Sequence, residues 1–197
     1  MKKIAFLAFL LAFCVAAGRA QESRQDVSLS GTALIEPFTA SSTTVEVNST
    51  TAFGALVSYR FMLTPSNALE ANYGNTLFSQ IYSSGNFTQA RVQEATLAYQ
   101  FTFGVAREAR FHPFVEAGTG ALFFSPVTAG SSTGVVSQNR AALLYGAGVA
   151  YRLTTRFSVQ AGYRGLVYTA PDFALPTQVT NARTNMAEPY VGVSFRF

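Results

Sequence analysis

Past residue 20 the chain contains no lysine and no cysteine, and its only histidine is His112. Without cysteine there is no disulfide framework and no thiol chemistry. One histidine and no cysteine cannot build an ordinary zinc site, so neither a metal nor a cofactor is expected. A hydrolase needs a nucleophile and an orienting carboxylate beside its histidine. Neither a His-x-Ser pattern nor an Asp-His cluster accompanies His112, which precedes Pro113. No catalytic residue is therefore assigned, and His112 is expected to be an interfacial residue. The pairs Gly118/Gly120 and Gly146/Gly148 lie inside segments of period two rather than at a strand-to-helix turn, which removes a dinucleotide fingerprint. No segment after the first twenty residues is long and apolar enough for a spanning helix. If the chain enters a bilayer, it must do so as strands.

The first twenty residues read separately. Lys2 and Lys3 make a positive start, Ile4 to Ala17 are apolar, and Gly18-Arg19-Ala20 places small residues ahead of a cut before Gln21. That is the layout of a cleaved secretory signal peptide over residues 1–20, followed by one domain over residues 21–197. Cys14 lacks the residues that would mark a lipoprotein site. Removing the leader takes Lys2, Lys3 and Arg19 with it, so 14 basic residues become 11 against 10 acidic ones and the net charge falls from +4 to +1. A basic balance that vanishes with the leader gives no reason to expect a nucleic-acid partner.

The remainder alternates apolar and polar residues with period two. Eight strands are expected: Asp26–Ile35, Thr51–Met62, Ala68–Asn75, Arg91–Phe103, Phe111–Phe124, Arg140–Leu153, Arg156–Thr169 and Met186–Phe197. The connections alternate in length. Thr64-Pro65-Ser66-Asn67 and Thr154-Thr155 serve short turns, while Ser41–Thr44, Ser83–Asn86 and Gly130–Gly134 lie in long, polar loops. Tight turns on one side and long loops on the other are the habit of outer-membrane barrels, with an even strand number leaving both termini in the periplasm.

The two faces differ in kind. Phe53, Ala55, Val57, Tyr59 and Phe61 share one face of the second strand, and Gly54, Leu56, Ser58 and Arg60 the other. Charges within strands fall on the second face; Arg91 and Arg156, at strand ends, are the exceptions. A charge facing lipid at mid-membrane costs about 2–4 kcal/mol, so the apolar face must be the outer one. A soluble barrel turned inside out would share the alternation. The aromatics argue against it: Tyr59, Phe61, Tyr99, Phe101, Phe103, Phe111, Tyr151, Phe157, Phe195 and Phe197 gather beside the short turns as one girdle. A second, weaker girdle is expected from Phe53, Tyr73, Phe123 and Tyr168. The reading is an all-β, eight-stranded, antiparallel up-and-down transmembrane β-barrel in the bacterial outer membrane, with the lipid bilayer as its surroundings.

The ending Tyr190-Val191-Gly192-Val193-Ser194-Phe195-Arg196-Phe197 resembles the C-terminal β-signal of outer-membrane proteins, carried by Tyr190, Val191, Val193, Phe195 and Phe197. The stretches LEANYG, PFVEAGTGALFF and GYRGLVY fit the same style. The chain as a whole is similar to the outer membrane protein beta-barrel domain family, the small OmpA-, OmpX- and OmpW-like barrels. That resemblance implies recognition by the outer-membrane insertion machinery. It carries over no functional site.

Eight strands leave room inside for little beyond side chains. The expected lumen face mixes Leu34, Leu56, Phe114, Leu122 and Leu144 with small residues, and it holds Arg60, Glu70, Glu94, Glu116, Arg152, Arg164 and Glu188 as an internal charge network of unassigned pairing. Such a network satisfies buried charge and specifies the fold, or it gates a narrow path. The functional expectation is a monomeric, non-enzymatic barrel with a structural or narrow-permeation, porin-like role. One alternative is adhesion or partner binding through loops Val45–Thr50 and Pro126–Gln138, notably Val45, Val47, Val127, Val135 and Val136. A conduit for hydrophobic molecules, through a lateral opening, is a third class.

Overall fold

The computed structural model describes residues 24–36, 39–40, 46–47, 50–81, 87–104, 109–131, 134–174 and 182–197. Residues 1–20, the expected leader, and the loop segments 41–45 and 82–86, with the expected contact residue Val45, lie outside them. Ten strands are described: β1 (Gln25–Glu36), β2 (Thr39–Ala40), β3 (Glu46–Val47), β4 (Thr50–Met62), β5 (Asn67–Ile81), β6 (Phe87–Thr102), β7 (Phe111–Ser131), β8 (Gln138–Arg152), β9 (Phe157–Thr169) and β10 (Arg183–Arg196). Eight of them close an antiparallel barrel in which each pairs with its sequence neighbour and β1 pairs with both β4 and β10. The short β2 and β3 pair with each other in the first long connection.

The register sets the shape. Hydrogen-bonded partners run once around from Ile35 through Ala187, Gly165, Tyr145, Ala117, Tyr99, Leu69 and Phe61 to Gln25. The circuit returns ten residues below its start, at Gln25 rather than Ile35. For eight strands that stagger means a tilt of about 40°. Each residue then adds about 2.6 Å of height, so an apolar band of about 25 Å takes roughly ten residues of each strand.

The outer wall is oily from end to end: Leu29, Phe53, Val57, Leu97, Leu143, Val191 and Val193 are each more than 45% exposed. At the turn side the predicted girdle forms, with Phe101 edge-on to Phe103 and Phe157 beside Phe195. Its tyrosines keep a polar handle toward the interface, for Tyr59 donates to Gln25 at 2.8 Å and Tyr99 to Asn67. Two turns are built alike. The Thr64 hydroxyl accepts the Asn67 N–H at 3.1 Å, and the Thr154 hydroxyl accepts the Phe157 N–H at 3.0 Å, so a local side-chain bond holds each hairpin.

The structure corrects two expectations about the wall. Tyr168 is not part of a loop-side girdle: it is inward and buried, and its hydroxyl donates to Glu36 at 2.9 Å. His112 is not interfacial. Phe111 takes the lipid side, so its neighbour must turn inward, where it is 6% exposed.

Candidate functional site: the lumen

Period two aims every second side chain of each strand into the barrel, and the register decides which of them meet. Arg60 on β4 lies opposite Glu70 on β5 and Asp26 on β1. Its guanidinium donates to Glu70 from Nε at 2.7 Å, lies 3.3 Å from Asp26 and donates to Gln160 at 3.3 Å. Higher in the barrel, Arg164 on β9 lies opposite Glu188 on β10. It pairs with Glu94 across the lumen and lies 3.2 Å from Glu188, while the Thr96 hydroxyl bridges toward Glu94 at 3.1 Å. Both arginines are buried, Arg164 at 1% exposed. Removing two carboxylates and a guanidinium from water is costly, and the pairing is what makes it tolerable.

Of the seven lumen charges expected from sequence, five therefore fall into two arginine-centred clusters. The other two stand apart. Glu116 is buried between the clusters with neither carboxylate oxygen hydrogen-bonded. Arg152 lies half-buried at the turn-side mouth, beside Arg196 and His112 rather than among the glutamates. Small residues make room for this filling. A Cβ on Gly146 would lie 2.7 Å from Glu116 Oε1, and one on Gly148 would lie 2.6 Å from the Phe114 ring.

Sequence reasoning missed Asp26, which is 3% exposed and joins Arg60 to Arg196, the latter at 3.9 Å. The signal was present: Asp26, Ser28, Ser30 and Thr32 alternate with Val27, Leu29, Gly31 and Ala33, which puts the acid on the polar side. In the β-signal, Val191, Val193 and Phe195 face outward, whereas Tyr190 turns inward and is 8% exposed.

The loop side of the lumen has a different character. Leu34, Val92, Leu122, Phe124, Ala142, Leu144, Leu166, Tyr168, Phe173 and Met186 form one buried apolar cluster across it. Phe173 comes not from a strand but from the segment after β9. It packs edge-on against Phe124 at 6.3 Å, and Phe124 meets Tyr168 at 5.7 Å. The segment is held down by Asp172, which accepts the Gln138 amide and the Ala174 N–H and lies 3.6 Å from Arg140. Burial pushes the Asp172 carboxyl up, but those donors and the Arg140 charge outweigh it and hold it below the usual aspartate value. Val135, expected as a loop contact residue, instead packs against this cluster, while Val136 remains exposed. Among the described residues no cluster of three or more His, Cys, Asp or Glu is placed to hold a metal ion.

An oily wall of tilted strands around a filled, ion-paired interior defines a small transmembrane barrel. A family model of the outer membrane protein beta-barrel domain matches residues 5–197, and the chain belongs to that family. It is a small protein of the bacterial outer membrane, surrounded by membrane lipid. Neisserial surface protein A is similar in structure at 17% identity and a TM-score of 0.63, over 89% of this chain and 98% of that one. OprG from Pseudomonas aeruginosa is similar at 13% identity and 0.60, over 90% and 98%. AlkL, solved in DMPC bilayers, is similar at 16% and 0.56, over 90% and 92%. At these identities the likeness is one of fold. No curated protein matches the chain in sequence.

Proposed function

We propose that the mature protein is a monomeric, non-enzymatic barrel with a structural role in the envelope, passing at most small ions along a narrow path. The supporting observation is the apolar cluster from Leu34 to Met186, which fills much of the loop-side lumen, with the buried Glu36, Thr76 and Thr184 beside it and Glu36 accepting from the Tyr168 hydroxyl. Water files need polar partners, and the bulky apolar side chains of this cluster leave few of them across the layer. Within the polar half, the five buried carboxylates Asp26, Glu70, Glu94, Glu116 and Glu188 outnumber the buried guanidiniums Arg60 and Arg164, with Arg196 reaching Asp26 at 3.9 Å, so whatever leaks through is a cation. Planar-bilayer recording tests the reading. The expected record is silence broken by rare, small, cation-selective openings that change in Glu116→Gln and Arg164→Ala. A steady wide pore, or anion selectivity, contradicts it.

Residues 1–20 act on this reading as the leader, and the strand ending in Phe197 as the segment the insertion machinery grips. Deleting Phe197 should leave synthesis intact and lower the heat-modifiable, folded fraction in the outer membrane.

One observation favours a second role at the cell surface. β5 and β6 stay paired as far as Ile81 and Phe87, and β7 runs to Ser131, well above the apolar band. A paired ribbon standing clear of the membrane is a natural contact surface. Replacing residues 79–89 by a short turn should abolish adhesion while the barrel still assembles.

A further inference from the structure

The outer wall is notched on the loop side, where β8 and β9 part. Their ladder ends at Ala142 and Tyr168. Beyond it β8 stays paired with β7 as far as Gln138 opposite Phe124, while β9 stays with β10 as far as Thr169 opposite Arg183. The chain after β9 then turns inward, and it is tied back higher up, where the Val136 N–H donates to the Phe173 carbonyl at 3.1 Å. A notch of about 240 Å³ lies in the gap. Ala141 and Leu143 of β8 and Val167 of β9 form its sides, and Ala142 and Tyr168, which are buried toward the lumen, form its floor. Behind that floor Tyr168 packs on Phe124 at 5.7 Å, so the notch ends in packed side chains rather than opening into the barrel.

Its two ends differ in chemistry. Toward the membrane centre it is bounded by Thr119, whose hydroxyl is spent on the Ala142 carbonyl at 3.1 Å. That end suits an acyl chain. At the loop end Thr169 and Arg183 are register partners, and both are exposed on the wall. Such opposed residues have their Cβ atoms about 5 Å apart, so a hydroxyl and a guanidinium can share one oxyanion. Among the described residues lining the notch, Arg183 alone is charged. It stands twelve residues above Phe195 of the turn-side girdle along β10, or roughly 31 Å at about 2.6 Å per residue. That is just past an apolar band of about 25 Å, at the level of lipid headgroups. The long loops lie on that side, which makes it the outer leaflet.

We propose that the β8–β9 notch binds a phosphate-bearing anionic lipid of the outer leaflet. One acyl chain lies over Ala141 between Leu143 and Val167, and the Arg183 guanidinium and Thr169 hydroxyl hold the phosphate. Hydrocarbon is as apolar outside the notch as within it, so the notch orders a chain rather than attracting it. Selectivity comes from the headgroup end, where a guanidinium matches phosphate oxygens in charge and in shape. The lipid stays outside the barrel, so the site is independent of whether the lumen conducts.

The test uses the full mature chain refolded in phosphatidylcholine nanodiscs, isotope-labelled, with phosphatidylglycerol replacing phosphatidylcholine in steps. Shifts at the Arg183 side chain and the Val167 methyls should saturate at a low phosphatidylglycerol fraction. Arg183→Gln should weaken binding at least fivefold. Ala141→Phe and Val167→Phe, which fill the notch from its two sides, should each weaken it at least threefold, with heat-modifiable mobility confirming that the variants fold. Arg91→Gln should leave binding unchanged, since Arg91 is also exposed on a strand but lies opposite Leu77 and Ser125. Glycerol phosphate, which has the headgroup chemistry and no acyl chain, should not shift the Val167 methyls. Shifts that grow in proportion to phosphatidylglycerol without saturating, or an Arg91→Gln effect equal to that of Arg183→Gln, would reduce the site to general surface attraction and overturn the proposal. So would unchanged affinity in both notch-filling variants, or glycerol phosphate reproducing the lipid's shifts.

Discussion

The two halves of the lumen are filled by different physics. On the turn side, Arg60 and Arg164 hold carboxylates contributed by β1, β5, β6 and β10, and the stability of each cluster depends on every partner being present. On the loop side, aromatic and aliphatic side chains pack around Phe124 with little specificity beyond shape. The polar half specifies register, because a one-residue slip would send Arg60 and Glu70 into lipid. On the function proposed above, the apolar half is the layer that blocks the path. A barrel can thus assign its architecture and its permeability to separate layers.

The difference can be broken from either side. The largest effect is expected from Arg164→Met, which leaves Glu94 and Glu188 buried and facing each other; it should cost about 3–5 kcal/mol, read as a lowered urea midpoint for unfolding from lipid vesicles. Arg60→Met should cost less, because Asp26 lines the hydrated mouth. Phe124→Ala removes the ring that both Tyr168 and Phe173 touch, and about 3 kcal/mol should be lost with the ion clusters undisturbed. On the outer wall, Gly165→Ala would place a methyl 2.2 Å from the Tyr145 ring, and displacing that ring should cost about 1–2 kcal/mol in the same assay.

The smallest effect concerns the clasp. Asp172 is partly exposed, so its ion pair with Arg140 is worth under about 1 kcal/mol. Its pKa is lowered on folding, so its contribution is complete above the ordinary aspartate value and disappears as pH falls through the depressed one. The protection factor of the Ala174 amide, its exchange rate set against that of an unstructured amide at the same pH, should therefore fall on acidification, and Asp172→Asn should abolish that dependence.

Much of this was legible in the sequence, and the part that was not has a physical reason. All eight barrel strands follow from period-two alternation, because lipid outside and packing inside impose it on every residue. The ends drift where that pressure stops: β5 runs to Ile81 rather than Asn75, and β7 to Ser131 rather than Phe124. Above the membrane, backbone pairing alone extends a hairpin and leaves no side-chain pattern. The inward set Arg60, Glu70, Glu94, Glu116, Arg164 and Glu188 was readable one strand at a time. Which of them pair, and that Arg152 belongs to the mouth, depends on a ten-residue stagger accumulated over the whole circuit. Phe173 was invisible for another reason. It sits at φ 47°, followed by Ala174 at φ 63°, so the chain turns back into the lumen through left-handed residues that no periodicity announces.

The claim that the apolar layer, rather than the ion clusters, closes the barrel is most directly tested by single-channel recording of a Phe124→Ala, Phe173→Ala double variant beside Arg164→Ala. The double variant should conduct steadily where the parent is nearly silent, and Arg164→Ala should alter only the rare openings. A double variant as silent as the parent, beside an Arg164→Ala barrel that stands open, would contradict the account.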